Sequence, residues 1–329
     1  MPAPSSGETS SSQPADRHVT KDIAVRGGVM RVGEWVPARS QAAGSGPAPV
    51  VLALHSLSGA HLSWGWLADE LPEARIVAPD LRGRGLSAEL PGPYGIAEHI
   101  RDVLCVADAL HLSEVTLVGH SLGAFVALGV VAARPALVLQ VVLVDGGLPL
   151  TVPLALHAED LVELVCGRPA SRVEFAFSSR ASHRRFWQLH PAFAKNWSPR
   201  SDEYADYLVD ETVAQDGSVE FRPIASQDAI EADARELSGT VAIRRRLREA
   251  PGPLVLLTAS RDLSNQVPGI YTPRELELTG SDLPNLRTLE VQRVNHYSIV
   301  ESARGASTIA GVVRHGLDAA ASAGRREAS

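Results

Sequence analysis

Short, uninterrupted apolar runs alternate with stretches of helical periodicity from Val50 to Val144, and this alternation restricts the fold more than any other feature of the chain. Val50–Leu54, Arg75–Ala78, Val115–Val118 and Leu139–Val144 read as strands, and runs this apolar belong to strands covered on both faces. Between them, Leu62–Leu71, Ile96–Leu110 and Leu122–Ala133 repeat apolar residues at helical spacing, the last stopped by Pro135. Such alternation predicts an α/β fold, a mostly parallel, doubly wound sheet covered by helices. Pro253–Thr258 and Arg287–Val291 resume the strand pattern, and Ser298–Leu317 reads as a closing helix. At the other end, His18–Val36 reads as a hairpin around Gly27-Gly28, after a Ser/Pro/Gly-rich tail over residues 1–17 that carries no periodicity. Residues 39–49 read as a flexible turn.

The rhythm lapses over residues 146–250, which hold helix-like stretches but no clear buried strand. Most of the chain's scarce aromatic residues gather there: Phe175, Phe177, Phe186, Trp187, Phe193, Trp197, Tyr204, Tyr207 and Phe221. Their clustering predicts that this third of the chain lines a pocket for an apolar group.

Charge and cysteine content narrow the partners. With 31 basic against 38 acidic residues, the net charge of −7 disfavours nucleic acid or an anionic membrane and leaves a small molecule as the expected partner. The run Arg244-Arg245-Arg246-Leu247-Arg248 is expected to be a solvated helix face. Cys105 and Cys166 form neither a disulfide framework nor a metal-ligand spacing, which points to a reduced, cytoplasmic setting without structural zinc. The first residues lack the apolar core of a secretory signal, and no run approaches the roughly 18 apolar residues of a membrane span.

The chemistry centres on Gly119-His120-Ser121-Leu122-Gly123. A bare GxSxG is weak, and an ordinary turn with a capping serine would carry the same residues. Here it follows the strand Val115–Val118 and opens the helix Leu122–Ala133, the setting of a nucleophile elbow. A serine hydroxyl needs a base, and the base an acid to hold its tautomer. His296, after the last strand, is the best-placed base; His120 is expected to pack and His55 to brace a loop. For the acid, Asp262 stands in the turn after Leu254–Thr258, and the order Ser121, Asp262, His296 matches a known triad architecture. Asp145, at the end of the preceding core strand, is the second candidate. The oxyanion needs backbone donors: the amide of Leu122, and that of Leu57 in the loop after Val50–Leu54.

Taken together, LALHSLSG, PDLRGRGLS over residues 79–87, VGHSLG, TASRD and NHYS resemble the α/β-hydrolase fold family, in its serine-nucleophile branch. The Asp80–Ser87 loop is similar to that of epoxide-hydrolase-like, haloperoxidase-like and small-esterase members, where it shapes the approach to the site. The resemblance implies a core over residues 18–145 and 251–320, a helical cap over 146–250, and Ser121, Asp262 and His296 as nucleophile, acid and base. It implies cleavage of a carboxylic ester, lactone or thioester without cofactor or metal. The same three groups also suit acyl transfer, cyclisation, perhydrolysis or C–C hydrolysis, and a ligand-binding protein on this fold is the non-enzymatic alternative. Epoxide hydrolysis and dehalogenation would need a carboxylate where Ser121 stands. Two residues depart from the family pattern: Ser56 replaces a glycine after His55, and Asn295 replaces the glycine before His296.

Overall fold

The sheet is built outward from its most apolar strands. The computed structural model describes residues 17–38, 47–149, 176–237 and 240–327. In chain order the elements are β1 (His18–Val25), β2 (Gly28–Trp35), β3 (Val50–Leu54), α1 (Gly65–Glu70), β4 (Arg75–Pro79), α2 (Ile96–Ala109), β5 (Val115–His120), α3 (Leu122–Ala133) and β6 (Val138–Val144). There follow α4 (Arg180–Leu189), α5 (Pro199–Tyr207), β7 (Val209–Val213), β8 (Val219–Pro223), α6 (Gln227–Glu236) and α7 (Thr240–Glu249). The described chain closes with β9 (Leu254–Arg261), α8 (Pro273–Asp282), β10 (Leu286–Asn295) and α9 (Ala303–Glu327).

Eight strands form one sheet in the order β1-β2-β4-β3-β5-β6-β9-β10. From β4 through β10 neighbouring strands are parallel, while β1 and β2 close one edge as the expected antiparallel hairpin. Alternate residues of the central strands serve opposite faces. Leu52, Leu54, Leu117, Val141 and Leu143 join the core under α2 and α3, whereas Val51, Ala53, Val118, Val142 and Val144 join the core under α1 and α9. That two-sided burial is why these strands are apolar at every position. Helix α3 is buried from Leu122 through Val131, which accounts for its apolar residues on every side.

Three expectations shift. The closing helix begins at Ala303 and not at Ser298, because residues 296–300 form a turn. The stretch expected to be a helical cap, with no clear buried strand, also contains the antiparallel hairpin β7–β8, which alternates polar and apolar residues around Asp216-Gly217 and so lacks the continuous run of a buried strand. In the same stretch, Ile230, Ala234 and Leu237 of α6 and its end, with Ile243 and Leu247 of α7, pack into the main core. The opposite face of α7 exposes Arg244, Arg245 and Arg248, as expected of that basic run. The tail up to residue 16, residues 39–46 and residues 150–175, with Phe175 and Cys166, lie outside the described residues. Among the described residues no helix is long and apolar enough to cross a membrane.

Candidate active site

Ser121 joins β5 to α3 with φ 52° and ψ −116°, a backbone conformation that a residue with a side chain rarely adopts. The turn is held by the Ser121 amide, which donates to the Val144 carbonyl at 2.9 Å. Its neighbours have to be small. A Cβ on Gly123 would lie 2.1 Å from the Leu54 carbonyl oxygen, and one on Gly146 would lie 2.5 Å from the Ser121 carbonyl oxygen. The strand–turn–helix therefore sets Ser121 at the carboxyl end of the sheet, beside the residues that follow β6.

His296 follows the end of β10 and is 4 % exposed. Its Nδ1 lies 2.7 Å from Oδ2 of Asp145, a fully buried carboxylate at the end of β6. The other oxygen, Oδ1, accepts from the Ala259 amide of β9 at 2.9 Å. A carboxylate accepts only, so the imidazole proton sits on Nδ1 and Nε2 keeps its lone pair. Asp262 does not meet His296, contrary to its expected part as the acid. It lies just past β9, where its Oδ1 accepts from the amides of Ser264 and Gln266 at 2.9 and 2.7 Å, so it closes its own turn. The acid beside the histidine is Asp145, the second candidate.

Two further residues hold His296 in place. His120 Nε2 donates to the His296 carbonyl at 2.8 Å, and burial, then the neighbouring His296, pushes the His120 imidazole well below its ordinary range, so it stays neutral. Asn295, at the position where the family pattern has glycine, accepts from the amides of Tyr297 and Ser298 at 3.1 and 2.9 Å. Its Nδ2 donates to the Ala192 carbonyl at 2.8 Å. The substitution thus ties the histidine turn to the segment beyond α4.

Leu57 and Leu122 are buried, and among the described residues neither backbone amide reaches a backbone carbonyl. Backbone amides with no backbone acceptor are the kind of donor an oxyanion requires. The Leu57 loop is braced from both sides. His55 Nε2 accepts from the Leu81 amide at 2.9 Å and its Nδ1 donates to the Ser56 carbonyl at 2.7 Å. Burial lowers that imidazole to about 4, and it remains neutral. Arg84 donates from Nε to the Leu57 carbonyl at 2.9 Å, and its guanidinium pairs with buried Asp233 of α6. Arg84 was readable in sequence only as part of the loop PDLRGRGLS; its grip on Leu57 was not.

Beside this site lies a pocket walled largely by aromatic rings: Phe177, Phe186, Trp187, Phe193, Trp197 and Tyr204. Ser121 and His296 are not themselves on its wall, which meets the site through Ser56 and Tyr297. The rings stack edge to face in a chain from Phe177 through Phe186, Trp187 and Phe193 to Trp197, and Phe193 also meets Tyr297. Both indole N–H groups are satisfied, Trp187 by His183 and Trp197 by Asp202.

The model of the alpha/beta hydrolase fold family matches residues 49–302. The chain is 40% identical over 101 residues to lipase LipV of Mycobacterium tuberculosis, a stretch covering 31% of this chain and 38% of the lipase. It is 37% identical over 109 residues to an uncharacterized protein of the same organism, covering 32% of this chain and 30% of that one. These matches span well under half the length of either relative. The solved structure of E-2-(acetamidomethylene)succinate hydrolase is similar in fold, with a TM-score of 0.71 and 20% identity over 92% of this chain and 99% of that one. Elbow, sheet order and matched family model agree, and the chain belongs to the alpha/beta hydrolase fold family.

Proposed function

We propose that this chain hydrolyses a carboxylic ester, lactone or thioester through an acyl-enzyme on Ser121, with residues 146–250 serving as a cap over the site. One observation carries the reading: His296 pairs with Asp145 at 2.7 Å, and Ser121, held in an elbow, donates its amide to the carbonyl of Val144, the residue before that aspartate. Ser121 Oγ attacks the carbonyl carbon while His296 Nε2 takes its proton. The Leu57 and Leu122 amides receive the oxyanion. The intermediate collapses with loss of the alcohol or thiol, which leaves with the proton from His296. Water then gives a proton to His296 and attacks the acyl-enzyme, releasing the acid and regenerating the serine. Asp145 accepts from the imidazole Nδ1–H, orients the ring and stabilises the imidazolium as it forms.

The test is turnover of p-nitrophenyl acetate and butyrate by the purified full chain. Wild type is expected to hydrolyse them and to be labelled by a fluorophosphonate probe, and Ser121→Ala to do neither. Equal turnover by the two proteins, or a folded wild type that takes no label, overturns the reading and leaves a ligand-binding protein.

A further inference from the structure

Among the described residues, the wall of the aromatic pocket carries one acidic group, Glu301, and no basic side chain of lysine or arginine. Glu301 lines it, one helical turn beyond Tyr297, whose carbonyl accepts from the Glu301 amide at 3.0 Å. Among the described residues no arginine or lysine joins it on the pocket wall, and its carboxylate makes no hydrogen bond or ion pair. Burial alone pushes the carboxyl up to about 8. The same chain elsewhere pairs its buried carboxylates: Asp102 with Arg82, Asp233 with Arg84 and His99, Asp80 with His61 and Tyr207. Among the described residues, Glu301 stands on the pocket wall amid rings, partly exposed to the pocket and without a charged partner.

Aromatic rings and a carboxylate share one ligand preference. Ring faces attract a cation through their quadrupole, and a weakly hydrated ammonium loses little on leaving water. A negative charge in an apolar wall is relieved most by a positive ligand. A neutral or anionic ligand would leave the acid protonated, whereas a cation favours loss of that proton and pairs with the carboxylate it leaves.

We propose that this pocket receives an ammonium-bearing part of the substrate, with Glu301 as its counter-ion and the rings of Trp187, Phe193, Trp197 and Tyr204 as its walls. The assignment rests on the ester-hydrolase reading above and names the substrate class of that site: esters carrying a quaternary or tertiary amine.

The experiment compares two esters of the same shape, the choline ester of butyric acid and its uncharged isostere 3,3-dimethylbutyl butyrate. For wild type, kcat/KM is expected to favour the choline ester by about tenfold or more. In Glu301→Gln, shown to be folded by circular dichroism, that ratio falls toward one; the ratio, not either constant alone, is the readout. A ratio unchanged by the substitution, or a wild type that favours the uncharged ester, overturns the proposal. Binding of choline to Ser121→Ala protein, followed by tryptophan fluorescence, separates the two readings. If neither ester is turned over but choline binds and Glu301→Gln abolishes that binding, the pocket assignment stands and the hydrolase reading fails. If both esters are turned over without discrimination, the pocket assignment fails and the hydrolase reading stands.

Discussion

Asp145 sits at φ 44°, fully buried, with each carboxylate oxygen committed to a different strand: Ala259 within β9 and His296 just after β10. Such a residue acts through the tautomer it imposes. Asp145→Asn can keep its carbonyl oxygen on one partner but presents an amide donor to the other, and the imidazole proton moves to the nitrogen that should be the base. We expect kcat on p-nitrophenyl butyrate to fall by about 10³–10⁴, whereas Asp262→Asn should change it by no more than about threefold. The reverse ranking would restore Asp262 as the acid. The two aspartates look alike in sequence because each follows a core strand. What separates them is spatial: β6 stops at Val144 and turns Asp145 inward, while β9 runs on to Arg261 and delivers Asp262 to a loop of its own. Ser121 and His296 carried stronger local signals, a glycine-flanked turn between strand and helix and a histidine between the last strand and the last helix. The work of Asn295 has no local signal, since its partner Ala192 lies 103 positions away.

At the level of elements, α6 and the Asp80–Ser87 loop are coupled through side chains with no exposed surface: Arg84 pairs with Asp233, which also meets His99. Removing one partner leaves a buried charge uncompensated. Asp233→Ala should therefore destabilise the protein by about 3–5 kcal/mol, read as a lower urea midpoint. The double substitution Arg84→Met with Asp233→Leu should recover much of that loss, because no charge is stranded. Activity should not recover with it. Arg84 also holds the Leu57 carbonyl, so the double variant is expected to show a lower kcat with little change in KM. A double variant with full kcat would show that the Leu57 loop keeps its place without the guanidinium. The elements legible in sequence were those with continuous apolar runs or strong helical periodicity. The hairpin β7–β8 escaped because its strands are half exposed, and α9 starts late because Asn295 spends its side chain on the turn before it.

Across the whole molecule, the residues of the site lie at the carboxyl ends of parallel strands: His55 after β3, Ser121 after β5, Asp145 after β6 and His296 after β10. This is where open α/β sheets gather their ligands, and the pocket wall beside it carries Glu301, which has no charged partner among the described residues. That placement has a consequence for global stability. In the folded chain the Glu301 carboxyl titrates at about 8, against 4.5 for the ordinary group. Between those values the folded protein holds a proton that the unfolded chain has lost, so stability falls as pH rises through that window. The contribution is whole below the lower value and gone above the upper one. Among the titratable groups on the pocket wall, His183 is already neutral there, since burial lowers it to about 4, and burial holds Tyr204 well above the window. Glu301→Gln removes the term and leaves the rest of the titration shared with wild type. The melting temperature of the variant minus that of wild type should therefore climb between pH 5 and pH 9, by about 2–4 °C for each kcal/mol of the term. A difference that stays flat with pH would mean that the carboxylate is solvated in the open pocket and holds no special need for a cation.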